Sequence, residues 1–189
     1  MDPYVYPGTN VLRNLRGFRD ADLLSEFEAE ATSRRIRQLH RRPITGAFDA
    51  AHLRAIHRYI FQDLFDWAGE FRTVNIQRGS QMPFALHELI APCLSTVFGK
   101  LAKERPLTPF FARAAYYLGE INAIHPFREG NGRTQREFIR ELATTVEVKL
   151  EWQRINRDEM IEASIASFHR CDNSGFERLL TTAATPLAT

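Results

Sequence analysis

The feature that most constrains this chain is a glycine-containing stretch, residues 125–136, set between two helical patterns. Before it, after Thr108-Pro109, the residues Phe111, Ala114, Ala115, Leu118 and Ile121 fall on one stripe at helical spacing. After it, Phe138, Ile139, Leu142 and Val146 carry a second apolar pattern. Thr108 is expected to cap the first of these helices, with Pro109 in its first turn. The stretch itself reads His125-Pro126-Phe127-Arg128-Glu129-Gly130-Asn131-Gly132-Arg133-Thr134-Gln135-Arg136. It predicts a loop that feeds the start of a helix, where Gly130, Asn131 and Gly132 can take positive φ.

Other helices are predicted on either side. One starts from an Asp20 cap and runs to about Leu39, with acids early and Arg34, Arg35, Arg37, Arg41 and Arg42 late, as the helix dipole favours. A second starts at an Asp49 cap, buries Leu53, Ile56, Ile60 and Leu64, and ends at Trp67-Ala68-Gly69-Glu70. Residues 71–85 change character: Thr73, Val74 and Ile76 suit a strand and Arg78-Gly79-Ser80 suits a turn, which predicts a short β-hairpin. Further helices are expected over Leu86–Leu101, Arg157–His169 and Gly175–Thr182. The fold class is all-α with one hairpin. Residues 1–19 read as an aromatic arm packed on the domain, 20–182 as the domain, and 183–189 as a tail.

A chain of 189 residues, 44% hydrophobic with 14 Phe, holds one core and one domain. Its net charge of +2 argues against a nucleic-acid partner, and no helix-turn-helix pattern accompanies the Arg34–Arg42 cluster. Cys93 and Cys171 are isolated thiols, and neither a secretion signal nor an apolar stretch of membrane length is apparent. A cytoplasmic protein is the expectation.

The chemistry of residues 125–136 points to an anion. Backbone N–H groups of a glycine-rich loop and a helix N-terminus together attract phosphate. Arg133 and Arg136, three apart on the first helical turn, add guanidinium donors. Glu129 supplies the carboxylate that a Mg²⁺ ion bridging phosphates requires. His125 brings an imidazole, whose ordinary pKa of about 6.5 suits a base for a hydroxyl nucleophile. Each feature alone has a plainer reading: a tight turn at Asn131-Gly132, a surface ion pair at Glu129, a core anchor at Phe127. Their convergence within one short segment favours a site.

His-Pro-Phe-x-(Asp/Glu)-Gly-Asn-Gly-Arg-x-x-Arg is the signature of Fic proteins, and the chain matches every defined position from His125 to Arg136. Asp2-Pro3-Tyr4, Phe65-Asp66-Trp67-Ala68-Gly69, the predicted hairpin and the helix before His125 also resemble the short single-domain bacterial toxins of that family, over roughly residues 1–170. The resemblance implies a helical core with a hairpin flap over the active loop. It implies AMP transfer from ATP to a Tyr, Thr or Ser hydroxyl, with His125 as base and Glu129 holding Mg²⁺. Gly130, Asn131 and Gly132 would bind phosphates, and Arg133 and Arg136 would contact the distal ones. Phe127 would anchor the loop. The flap, about Thr73–Phe84 and including Val74, Asn75 and Ile76, would clamp the target by strand addition.

Relatives within that fold transfer phosphate, UMP or phosphocholine instead. The kinase type carries Lys where this chain has Gly132, which favours adenylyl transfer. A non-catalytic peptide-binding module would have lost the base or the metal carboxylate, and both are present. Short toxins of this type modify the ATPase subunits of DNA gyrase and topoisomerase IV at a Tyr, so the resemblance implies targets of that kind. Fic enzymes are commonly restrained by a helix bearing (Ser/Thr)-x-x-x-Glu-(Gly/Asn), whose Glu pairs with the second motif arginine. No Ser or Thr of this sequence has Glu four residues later. A small antitoxin presenting that helix is therefore the expected partner. Arg140, outside the motif, is expected to be solvated or ion-paired, and its removal to matter little.

Overall fold

The computed structural model describes residues 2–77 and 83–186. Helix α1, Ala21–Arg41, begins where the Asp20 carboxylate accepts from the N–H groups of Asp22 and Leu23 at 2.9 and 3.0 Å. Helix α2, Ala50–Phe61, begins in the same way, with Asp49 accepting from His52 N–H at 2.8 Å. Both caps are the expected ones.

Helix α2 stops earlier than predicted. Leu64 N–H and Phe65 N–H both donate to the Phe61 carbonyl, and single turns follow to Gly69 at φ 87°. Leu64 is fully buried as expected, but it reaches the core from a turn. Stacking of Phe61 on Phe65 and of Phe65 on Trp67, with centroids 6.2 and 4.3 Å apart, takes the place of further helical turns.

A 3₁₀ turn at His87–Leu89 leads into α3, Ile90–Glu104. Helix α4 spans Phe110–Ile124, and Pro109 occupies the N-cap itself with no side-chain cap bond. The predicted Thr108 cap is thus displaced by one residue, since proline, which has no N–H to satisfy, fits the flanking position with its φ of −68°. Helices α5 (Asn131–Thr144), α6 (Arg157–Arg170) and α7 (Ser174–Ala183) complete the bundle. Helix α4 packs against α3, α5, α6 and α7, while α5 also packs on α2. The loop between α4 and α5 therefore emerges from the most enclosed part of the core.

Strands β1 (Val148–Leu150) and β2 (Ala184–Pro186) pair antiparallel, with Lys149 opposite Thr185. Three residues each, they carry no alternating pattern that the sequence could display, and β2 lies within the expected tail. The arms of the predicted hairpin meet through a Gln77–Pro83 antiparallel bridge and the Phe84 N–H bond to the Ile76 carbonyl at 3.2 Å. The expected turn at Arg78-Gly79-Ser80 lies outside the described residues. The N-terminal arm docks at the base of the hairpin: the Tyr4 ring meets Trp67 edge-on at 5.3 Å, and its hydroxyl accepts from Thr73 N–H at 3.1 Å. Among the described residues no helix is long and apolar enough to cross a membrane.

Candidate active site

The loop is shaped first by its own backbone. His125 ends α4 in the left-handed region at φ 49°, its N–H donating to the Ile121 carbonyl, and Pro126 cannot continue the helix. Phe127 is 1% exposed and stacks on His57 with centroids 3.8 Å apart, which anchors the loop as expected. The Asn131 carboxamide closes the turn: Oδ1 accepts from Phe127 N–H at 2.9 Å and Nδ2 donates to the Phe127 carbonyl at 2.7 Å.

Gly130 caps α5 at φ 81°, and a Cβ there would lie 2.2 Å from the Phe61 ring. Both the conformation and the space require glycine. The first intrahelical bond of α5 is Thr134 N–H to the Gly130 carbonyl, and no side chain caps this end. Helical geometry then leaves the N–H groups of Asn131, Gly132 and Arg133 without intrahelical acceptors, which makes the end of α5 an anion site.

Glu129 is held from two sides. Its Oε1 accepts from Gly130 N–H at 2.8 Å, and its backbone carbonyl accepts from His57 Nε2–H at 3.0 Å. His57 Nδ1 in turn accepts from Gly69 N–H at 2.8 Å, so this imidazole is neutral with its proton on Nε2. Burial pushes its pKa down to about 3, against a smaller opposing effect of the bond to Glu129.

A cavity of about 410 Å³ brings together His125, Arg128, Glu129, Gly130, Asn131, Gly132 and Arg136, with Ile76 and Phe84 from the flap and Gln135 from α5. Asn122, Met160, Ile161 and Ser164 close its far wall. The His125 ring lies flat on Phe84, centroids 3.8 Å apart and planes within 13°. His125 Nδ1 is 3.1 Å from the Asn122 carbonyl; only a protonated Nδ1 can bond there, which leaves Nε2 as the basic nitrogen. Arg136 has no hydrogen-bond or ion-pair partner among the described residues, and burial, followed by the charge of Arg133, lowers its pKa. It also lines a neighbouring cavity of about 510 Å³ with Trp152, Asn156 and Arg157.

Arg133 stands at the edge of the cavity, with Nη2 3.5 Å from Glu129 Oε1. Its guanidinium forms an ion pair with Glu28 of α1, donates to Thr32 Oγ1 at 3.3 Å and sits over the Phe61 ring. The Asn131 carboxamide bonds the Phe127 backbone through Oδ1 and one N–H of Nδ2, and the residue lines the cavity. Of the flap residues, Thr73, Val74 and Asn75 lie at the base of the hairpin, outside the cavity wall; Asn75 Oδ1 accepts from His87 N–H at 2.8 Å. Arg128 reaches back to Asp2 at 2.8 Å.

Sequence reasoning passed over His57 and Arg72. Neither has a local signal, because most of their partners are main-chain atoms of other segments, at Gly69 and Glu129 for His57 and at Ala85, Ile124 and His125 for Arg72.

The Glu129 carboxylate beside the open α5 amides fits Mg²⁺, which is held by one or two carboxylates together with nucleotide phosphates.

Comparison with known proteins places these features in context. The Fic/DOC family model matches residues 47–143. Protein adenylyltransferase VbhT of Bartonella schoenbuchensis is 41% identical over 173 residues, covering 89% of this chain but 36% of VbhT, so the chain spans about a third of that relative. The protein y4lH of Sinorhizobium fredii, which carries the name probable protein adenylyltransferase, is 38% identical over 88% of both chains. The N-terminal Fic domain of a VirB-translocated Bep effector from Bartonella quintana, solved with bound ADP, superposes with a TM-score of 0.90 at 29% identity, covering 97% of this chain and 94% of that one.

Proposed function

The chain belongs to the Fic/DOC family, and on that premise we propose that it is a protein adenylyltransferase, moving AMP from ATP to a Tyr, Thr or Ser hydroxyl of another protein. The observation that carries the reading is one cavity that gathers His125, Glu129, Gly130, Asn131, Gly132 and Arg136.

In this mechanism the triphosphate lies across the N-terminus of α5. The backbone N–H groups there and the Arg136 guanidinium hold it, so the α-phosphorus faces His125. His125 Nε2 takes the proton of the target hydroxyl, whose oxygen bonds to the α-phosphorus as the bond to the β-phosphate oxygen breaks and pyrophosphate leaves. Glu129 would hold Mg²⁺, whose chemistry here is to neutralise phosphate charge. Little covalent help is needed for such a transfer, so fixed positions and charges do most of the work. Arg133, between Glu28 of α1 and the Glu129 carboxylate, ties α5 to α1 at the edge of the cavity.

Gly132 stands where the kinase type carries Lys, which favours adenylyl over phosphoryl transfer. The flap, about Thr73–Phe84, would supply the peptide platform by strand addition. We further read the chain as the toxin of a toxin-antitoxin pair, working in the cytoplasm on ATPase subunits of DNA gyrase and topoisomerase IV. Its partner would be a small protein whose helix presents a glutamate to Arg136 from the adjoining cavity. Domain limits of about 20–182 go with this reading.

The experiment is to incubate the purified chain with α-labelled ATP, Mg²⁺ and a bacterial lysate. An AMP-sized mass increase on a labelled ATPase subunit is expected. A phosphate-sized increase, or no labelled protein, would remove the assignment.

A further inference from the structure

Arg72 is 2% exposed and has no carboxylate partner among the described residues. Its guanidinium spends its donors on main-chain carbonyls from three separate segments. Nη1 donates to Val74 at 2.7 Å and Nη2 to Ala85 at 2.5 Å, one on each arm of the flap. Nε donates to His125 at 2.9 Å and Nη2 also to Ile124 at 3.2 Å. The Arg72 main chain adds a bond to the Pro126 carbonyl at 2.9 Å. One side chain therefore grips both flap arms and the backbone of the imidazole base, and Ala85 is next to Phe84, which stacks on that imidazole.

We propose that Arg72 is a positioning residue that fixes the two flap arms, at Val74 and Ala85, to the His125 loop, so that a peptide docked on the flap arrives at a set distance from His125. The inference rests on the proposed roles of the flap and of His125. Its physical basis is the planar fork of the guanidinium, which spans several acceptors at once, whereas an ammonium is a single point. Burial lowers the Arg72 pKa, but the group stays charged at neutral pH, so each bond to a carbonyl is charge-assisted. Displacing a reacting group by about 1 Å costs on the order of 10²-fold in rate, which sets the expected effect.

The test compares the whole wild-type chain with Arg72→Lys and Arg72→Met in AMP transfer, ATP binding, thermal unfolding and amide hydrogen exchange. For Arg72→Lys, kcat is expected to fall about 10²-fold while KM for ATP stays within about threefold, since the phosphate site on α5 is untouched. The amides of Phe84 and Ala85 should exchange at least about tenfold faster, while those of α2 and α5 keep their rates. A folded lysine variant with kcat within about twofold of wild type overturns the proposal, as does a loss of kcat matched by an equal loss of ATP affinity. If neither variant folds, exchange in the wild-type chain decides: the amides of Arg72, Phe84, Ala85 and His125 should open together, and rates spread by more than about tenfold refute the proposal. Absence of AMP transfer by the wild type would refute the adenylylation reading, while the exchange data would still judge Arg72.

Discussion

His125 combines a left-handed backbone, an Nδ1 bond to the Asn122 carbonyl and a ring lying on Phe84, which together aim one nitrogen at the cavity. It holds no apolar core position, so His125→Ala should lower target labelling by about 10²-fold or more and leave ATP affinity within a few-fold. Near-normal labelling would refute its role as base. Glu129→Ala should weaken Mg²⁺-dependent ATP binding, and chelation of the metal should then add little further loss; calorimetry with and without EDTA checks this. Arg136 and Arg140 of α5 part company more sharply than expected. Arg136→Ala should abolish transfer with little change in stability, because that guanidinium has no ion-pair partner within the described chain. Arg140 is not an incidental residue. It is 8% exposed, donates to Glu137 at 2.7 Å and lies 3.5 Å from Glu141; these carboxylates in turn bond His40 of α1 and His52 of α2. Burial raises the Glu137 pKa, but the bonds from His40 and Arg140 outweigh it and keep the carboxyl below its usual range. Removing one partner of a buried network costs roughly 3–5 kcal/mol. Arg140→Ala should therefore lower the unfolding midpoint strongly while the folded fraction keeps its transfer rate, and urea melts paired with labelling separate the two.

At the scale of elements, the end of α2 and the turns to Gly69 support the active loop through His57. The ring is neutral in the fold and its folded pKa is about 3, against an ordinary 6.5. Below about pH 6.5 the unfolded chain takes up a proton there that the folded chain refuses until about pH 3, so unfolding consumes protons and stability falls as the pH drops through that window. The slope is about 1.4 kcal/mol per pH unit for one such group. His57→Gln keeps a donor for the Glu129 carbonyl but cannot titrate. It should be less stable at pH 7.5 and lose less between pH 6.5 and 4 than the wild type. Urea melts across that range check it, and parallel curves for the two proteins would refute the linkage.

At the scale of the whole molecule, Arg136, without an ion-pair partner among the described residues, and the cavity beside it bear on regulation. The 189 residues contain no (Ser/Thr)-x-x-x-Glu-(Gly/Asn) motif, and the proposed function then expects no carboxylate of that kind to oppose ATP at Arg136. Expression of the isolated chain should arrest growth, His125→Ala should relieve the arrest, and a partner that presents a glutamate to Arg136 should suppress labelling. Removal of that glutamate should restore it, since a buried pair loses its compensation when one charge goes. Harmless expression of a folded wild-type chain that becomes active only after part of itself is deleted would contradict this.

How much was legible follows from what each feature depends on. The helix starts at Ala21 and Ala50 were readable because an aspartate cap acts on amides two or three residues away. The loop at 125–130 was readable because its residues break one helical pattern and precede another; of Gly130, Asn131 and Gly132 only Gly130 takes positive φ, while the other two already begin α5. The two short strands were not: β1 and β2 are three residues each, and a pairing between Lys149 and Thr185 leaves no trace in either segment. Side-chain destinations were not readable either. Arg133 and Arg136 share a helical turn and a residue type, yet Arg133 is claimed by Glu28, 105 residues away, while Arg136 enters the cavity. Arg72 turns inward because four carbonyls from the flap and the His125 loop converge on it. The sequence by itself determined the local backbone and the chemical groups at the site; which of those groups face the cavity, and which are consumed in holding it together, only the packing of α1, α2 and the flap around α5 decided, because a charged side chain goes to whichever opposite charge or carbonyl the fold brings within its reach.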